Sequence, residues 1–585
     1  MRHIFAKTAF AGLLLVGTTA CTNDLNISSI DPQSTPTYDD MGLLAKVYGT
    51  LGMTGQVGPS GKGDISSDEG ESGFYRTTFN LEELPTDELN WAWQTDDDIP
   101  QITGIYWNRN SVRCQWAYQR LGFNVLNCNF YLQETADKAA DANYKYYRAE
   151  VRFLRALYYW YFLDLFNKAP FKDENSSMTD LPVEKGGVEL YNWIDSELTA
   201  LESELAPIGQ FNGGDNYGRV DQGAALMLHA RLCLNAEVYT DGAVKAYDKA
   251  INYCNQLISG PYALSSTPKT NPSNGLSYSG YAQLFMADND INANAMKEII
   301  LPIRQDGKKT PNYSTANYLV SSMRIAGMPY AGTTNGWSCN YARPNLIYKF
   351  FADGNIPRVT SQDDIDAYKW ANKITAKNKK GEEELRAFTE AECIAADKAL
   401  HGSTEEILAA AADDRALFYA GCGGGIRKVS TDKLNNFLDG ISVVKWQNIR
   451  SDGGAVSDDE FPDTDVPLMR LAEAYLTRAE AKWRTGDGTA IADVNTLRLR
   501  ANAAPLTQLT EQDLIDEWCR EFYAEGRRRI DLNRFNMFVG KNYIWAWKGG
   551  VANGQTVDSH FRIYPIPQDD INNNKNMTQN PGYAE

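Results

Sequence analysis

Histidine is scarce in this chain, with four in 585 residues, at positions 3, 229, 401 and 560. None sits in an H-E-x-x-H pattern or shows another ligand spacing, so no metal site is expected. A G-x-S-x-G elbow and a P-loop are also absent, which removes the commonest hydrolase and nucleotide-binding signatures. Past the N-terminus no run approaches 18 apolar residues, so nothing in the body reads as a membrane-spanning helix. Positive charge is in deficit: 57 Lys and Arg stand against 75 Asp and Glu, a formal charge of -18. Such a surface repels a phosphate backbone and argues against nucleic acid as a partner. No two cysteines form a C-x-x-C pair. Those at 114, 128, 233, 254, 339, 393, 422 and 519 fall mostly in helical patterns, where buried free thiols are expected.

Carboxylates, by contrast, are so plentiful that a pair of them says little. Glu473 and Glu480 lie on one predicted helix face, and the expectation is a structural role, pairing with Arg470 and Arg478. A glycoside hydrolase with two catalytic carboxylates stays open as an alternative, because their separation is not legible in sequence. No catalytic residue is assigned, and the chain reads as a non-enzyme.

The N-terminal "MRHIFAKTAFAGLLLVGTTAC" has a basic start at Arg2 and Lys7, a short apolar run and small residues before Cys21. This is the pattern of an export signal. A cysteine directly after the small residues resembles the bacterial lipoprotein signal, which implies a signal peptide at 1–20 and lipid on Cys21. Acyl chains contribute about 0.8 kcal/mol per buried CH₂, enough to anchor when more than one is attached. Residues 21–40 then read as a lipidated cysteine and a polar tether.

Amphipathic helical spacing comes in two blocks, 105–260 and 465–540, in segments such as "YKYYRAEVRFLRALYYWYFLDLF" and "PLMRLAEAYLTRAEAKWRTG", so 41–260 reads as a helical scaffold with N-terminal binding loops and 465–585 as a second helical part with an extended tail. Ala149, Ala156, Ala224, Ala225, Ala474, Ala479 and Ala481 lie at close-packing positions, which suits helix pairs stacked as in tetratricopeptide repeats. Residues 261–464 are rich in Gly, Ser, Asn and Pro, a composition that favours irregular loops. Residues 55–104 read the same way. The fold expected is mainly α, a tetratricopeptide-like scaffold of helical pairs with a loop-rich ligand-binding lobe inserted at 261–464 and an extended C-terminal tail.

Five segments in this order, "YYRAEVRFLRALYYWYFLDLFNKAPF", "LMRLAEAYLTRAEA", "VNTLRLRANA", "REFYAEGRRRIDLNRF" and "YPIPQDDINNNKNMTQNPGY", strongly resemble the SusD/RagB family of Bacteroidetes outer-membrane lipoproteins. The resemblance implies a cell-surface, lipid-anchored protein that captures oligosaccharides and delivers them to a SusC-like TonB-dependent barrel. Some relatives on the same scaffold resemble oligopeptide importers, so a peptide ligand is the alternative. Within "REFYAEGRRRIDLNRF", the side chains of Glu521, Glu525, Arg528 and Asp531 read as a buried ion network.

The stretch "DELNWAWQTDDDIP" places Trp91 and Trp93 beside Asp96, Asp97 and Asp98 in a polar setting. A flat ring covers the C–H face of a sugar while polar side chains take its hydroxyls. Each stack buries roughly 100 Å², or about 2.5 kcal/mol before ordering costs. Around this loop, "SSDEGESGFYRTTFNLEELPTDELNWAW" resembles the starch-binding founder of the family. That likeness implies a stacking ring at Trp93, polar partners at Asp68 and Arg76, and further rings at Tyr313 and Trp337. Asp96 stands where the founder has an asparagine. Starch or a maltooligosaccharide is therefore the first expectation. Trp91, Tyr330 and Tyr341 read as packing residues, although either tyrosine could take the place of Tyr313. The aspartate run also has the oxygen ligands that calcium prefers, but it lacks an EF-hand spacing, and a solvated loop is the expectation.

Overall fold

The computed structural model describes residues 39–583 apart from 56–57, 61–62, 178, 325–327, 329–330, 358–373, 388–402, 421–426 and 438. Cys21, the signal and tether up to residue 38, and Tyr330 therefore lie outside the described residues.

Small residues at helical spacing let helices approach closely, and the scaffold follows from that. The elements are α1 (Asp40–Gly49), α2 (Phe74–Glu83), α3 (Val112–Glu134), α4 (Lys145–Phe166), α5 (Gly187–Glu204), α6 (Gln222–Leu234) and α7 (Tyr247–Ile258). They continue with α8 (Ala316–Met323), α9 (Leu471–Arg484), α10 (Ala490–Arg500), α11 (Glu511–Phe522) and α12 (Arg528–Arg534). Helices α3 to α7 pack each on the next, and α7 packs on α9, which continues to α10. The stack is thus continuous in space although residues 259–470 intervene in the chain. Ala156, Ala224, Ala225, Ala474 and Ala479 are fully buried at these contacts, as their spacing predicts. Ends are marked by local chemistry: Thr510 and Asp513 form a reciprocal capping box at the start of α11, and Asn167 closes α4 with φ 54°. Each such cap contributes about 1 kcal/mol.

The insertion is tied to this stack by short strands. These are β1 (Leu89–Trp91), β2 (Ile299–Ile303), β3 (Asn340–Ala342) and β4 (Val466–Arg470), with β1 antiparallel to β3 and β2 antiparallel to β4. At the join lies a buried charge network. Arg470 meets Glu298, Glu521 and Glu525; Arg415 meets Asp413, Glu517 and Glu521; Lys445 meets Glu525. Removing one member of such a network costs about 3–5 kcal/mol, because the partner is left charged and dry.

Two readings of the sequence change here. Residues 55–104 are not simply loops, since α2 lies among them with all ten residues buried. Six of its ten residues are polar, so the segment reads as loop although all of them are buried. Its polar groups are instead met by tertiary partners: Glu82 by Arg529, Glu83 by the Ala524 N–H, Asn80 by the Tyr318 hydroxyl. The partners assigned to Glu473 and Glu480 also change. Glu473 pairs with Arg231 and Arg527, and Glu480 with Arg484 and Arg534, while Arg478 turns to Asp493. Both carboxylates face the packed side of α9, where Arg231, Arg527 and Arg534 reach them from elsewhere in the chain and only Arg484 joins from the same helix. The C-terminal tail, read as extended, contains a short helix, Gln568–Asn573, between irregular stretches. It is fastened where the Tyr564 N–H meets Leu165 C=O and the Asn580 amide meets Phe166 C=O.

Candidate functional site

Strand β1 decides what each of the two tryptophans does. Trp91 closes the strand opposite Asn340 and is 0 % exposed, whereas Trp93 has left the strand and is half-buried. Trp91 donates its indole N–H to Asp96 Oδ2 at 3.0 Å and lies stacked on Tyr318, centroids 5.7 Å apart. Trp93 stands edge-on against it at 5.8 Å and 84°. The insertion supplies the next rings. Tyr318 of α8, also 0 % exposed, touches Trp337 at 6.3 Å; Trp337 touches Tyr313 at 6.1 Å; Tyr313 touches Phe461 at 5.2 Å. The result is one unbroken series, Trp93–Trp91–Tyr318–Trp337–Tyr313–Phe461. Trp91 and Tyr318 are its buried members; Trp93, Trp337, Tyr313 and Phe461 are half-buried.

Backbone constraints hold the outer rings. Trp337 N–H donates to Ser321 C=O at 2.8 Å, and Ser338 next to it has φ 56°. Tyr313 N–H donates to Glu69 Oε2 and its hydroxyl to Glu460 Oε1, both at 3.0 Å. Gly70 has φ 102°, and a Cβ there would fall 2.7 Å from the Tyr313 backbone and Cβ, so only glycine lets the two loops close on each other.

Arg76 rises from the first turn of α2 beneath these rings. Its guanidinium lies 4.9 Å from the Tyr318 centroid and 5.5 Å from that of Trp337, close enough for cation–π attraction to both. One Nη donates to Tyr313 C=O at 3.4 Å, while Nε is buried without a hydrogen-bond partner among the described residues. Glu71 lies 3.9 Å from Arg76 and 3.8 Å from Arg113. Burial pushes the Glu71 carboxyl above its ordinary range despite both guanidinium groups, since attraction at nearly 4 Å does not repay the lost hydration. Burial likewise lowers Arg113, whose Nε donates to Asp97 C=O at 2.6 Å and so fixes the loop that follows Trp93. Burial and the nearby Glu460 carboxylate push the Tyr313 phenol up to about 12, keeping it a neutral donor.

The positions singled out from sequence fall as follows. Trp337, Tyr313 and Arg76 are brought together, Trp93 is linked to them only through the buried Trp91 and Tyr318, and Asp96 joins through its bond to Trp91. Asp68 is exposed on the neighbouring loop, its N–H bonded to Ser66 Oγ. In the aspartate run, Asp96 receives the Trp91 indole, Asp97 offers its C=O to Arg113, and Asp98 receives the Val112 N–H at the start of α3. Tyr341 is fully buried, with its hydroxyl on Ser338 C=O and Arg427 over its ring. Sequence reasoning passed over Phe461, Glu460, Tyr318, Glu71 and Arg113. Phe461 was within reach, because "SDDEFPDT" repeats the Trp93 signature of an aromatic beside acids and a proline.

Fold and site together define a protein of stacked helices whose insertions display a row of half-buried aromatic rings over an arginine. The chain belongs to the SusD family: that family's model matches residues 297–583, and the "Starch-binding protein SusD" of Bacteroides thetaiotaomicron is 50% identical over 591 residues, covering 100% of both chains. Solved structures share the fold at lower identity. A SusD-like protein from Bacteroides fragilis has a TM-score of 0.62 at 19% identity, covering 95% of this chain and 100% of that one. Surface glycan-binding protein A from Bacteroides thetaiotaomicron, solved with laminarihexaose, has a TM-score of 0.59 at 19% identity, covering 92% and 98%.

Proposed function

We propose that the protein is a non-catalytic, cell-surface glycan-binding protein whose ligand is a starch-type maltooligosaccharide. The observation that carries this reading is the half-buried trio Trp93, Trp337 and Tyr313 in one continuous ring series above Arg76. Trp337 and Tyr313 are tilted by 51° to each other. A flat, ribbon-like β-1,4-glucan cannot lie face-down on both, whereas a glucan that turns between successive units, as an α-linked one does, can. Stacking of roughly 100 Å² per ring contributes about 2.5 kcal/mol. After ordering costs, two or three such contacts correspond to a dissociation constant of about 0.01 to 1 mM. Arg76, Asp96 and Asp68 are the polar partners in this reading. The name printed for the 50% identical relative supports the starch assignment.

The same reading has the captured glycan passed to a SusC-like TonB-dependent barrel, with the protein held at the outer membrane by lipid on Cys21. Its support is the sequence of residues 1–21 and the family. No cofactor enters it. Affinity electrophoresis on a panel of polysaccharides tests the whole: retardation by α-glucans, lost in Trp93→Ala, is expected. Retardation only by β-glucans, or binding of peptides instead, overturns the ligand, and release of new reducing ends overturns the non-catalytic role.

A further inference from the structure

Away from the aromatic series, three helices of the scaffold converge on a second group of reactive side chains, each contributing a pair one turn apart. Helix α5 brings Tyr191 and Asp195, α6 brings His229 and Cys233, and α7 brings Lys249 and Tyr253. His229 is fully buried. Its Nδ1 lies 3.0 Å from Glu202 Oε1 and its Nε2 lies 2.8 Å from Asp195 Oδ1. The Cys233 Sγ is also fully buried, and the ligand atoms of Asp195, His229 and Cys233 all lie within 4.8 Å of one another. An ion pair between imidazolium and two carboxylates accounts for His229 but leaves Cys233 without a role. The Tyr191 hydroxyl is buried beside Cys233 and faces its sulfur.

We propose that Asp195, His229 and Cys233 form a binding site for a divalent ion of the zinc type. Thiolate and imidazole select borderline ions over calcium or magnesium, which want oxygen alone. Ligand atoms around a tetrahedral zinc stand about 3.4–3.7 Å apart, so closing from 4.8 Å needs movements of about 1 Å, within the reach of side-chain torsions. Glu202 supplies the outer contact that metal-bound histidines characteristically have: a carboxylate on Nδ1 fixes the tautomer and aims Nε2 at the ion. Tyr191 can donate to the thiolate. Lys249, 3.3 Å from Asp195 and 56 % exposed, is held by a weak surface pair and is free to swing away. Asp195 and Glu202 are 21 % and 32 % exposed, which leaves the ion a way in from solvent. On binding, the ion displaces the thiol proton and the Nε2 proton to solvent, so the charge of the site is conserved.

The test uses the purified, chelator-stripped chain titrated with Co(II), whose thiolate complex absorbs by ligand-to-metal charge transfer. One equivalent of band, displaced by Zn(II), is expected. It is lost in Cys233→Ser and in His229→Arg, the latter keeping a cation between Asp195 and Glu202 while removing the ligand nitrogen. Absence of the band in the wild-type chain overturns the proposal without recourse to any variant. A band of undiminished size in Cys233→Ser overturns it too, by assigning the metal to another cysteine.

Discussion

Replacing Trp91 by phenylalanine separates the ring that supports the site from the rings that face the ligand. The substitution removes the indole N–H that Asp96 accepts at 3.0 Å and part of the ring stacked on Tyr318. A hydrogen bond to a carboxylate is worth about 1.5–3 kcal/mol. Asp96 is half-buried, however, so water recovers part of that, leaving about 1–2 kcal/mol. The smaller ring leaves roughly 40 Å³ unfilled, which adds about 1 kcal/mol. The expected loss of stability is about 2–3 kcal/mol, read by denaturant unfolding. Binding should suffer less. Trp93 keeps its own face and loses only the ordering of an edge-to-face contact, about 0.5–1.5 kcal/mol, or roughly 2- to 12-fold in affinity for a maltooligosaccharide by calorimetry. Unchanged stability would refute the packing role. Abolished binding in Trp91→Phe, with binding retained in Trp93→Ala, would show that the platform had been assigned to the wrong indole.

Acid should weaken the fold at named carboxyls. Burial alone would raise Asp87 and Glu480, but Arg528 holds the first, and Arg534 with Arg484 the second, at about 2, below their ordinary 3.8 and 4.5. Stability from these groups is therefore present above about pH 4.5 and lost as pH falls towards 2. It amounts to about 2 and 3 kcal/mol respectively, and stability that does not change over that window contradicts the assignment. Arg528→Met, which strands Asp87 in a buried position, should cost about 3–5 kcal/mol in thermal or denaturant unfolding. Glu460→Ala frees the Tyr313 hydroxyl and should lower glycan affinity a few-fold while leaving the melting temperature almost unchanged. Cys114, Cys128, Cys254, Cys339 and Cys519 are buried free thiols and should react with a thiol reagent only after unfolding.

The helical stack is legible in helices such as α7 and α11, which bury one side and write a 3.6-residue period into the chain. Helix α2 is short and six of its ten residues are polar, so it reads as part of a loop although every one of them is buried. The site was legible in part for a related reason. Trp93 stands out because an indole beside three aspartates and a proline has no local reason to be buried. Tyr318, by contrast, looks like any core residue of a short helix, and only the tertiary arrangement shows that it links Trp91 to Trp337. Ion pairs were the least legible. Helical spacing offers Arg470 and Arg478 to the carboxylates of α9, but the packed structure brings Arg231, Arg527 and Arg534 to them from elsewhere in the chain. Two further long-range guanidinium groups position the site: Arg528 and Arg529 clamp Asp87 and Glu82, on either side of the segment that leads into β1, to α12.

Isothermal titration of a maltooligosaccharide into the wild-type chain and into Trp93→Ala and Trp337→Ala bears most directly on the claim that these rings form one glycan-binding surface. Each substitution removes about 2.5 kcal/mol of stacking at most, so affinity should fall about 10- to 70-fold with the melting temperature nearly preserved. Wild-type affinity retained in both folded variants would contradict it.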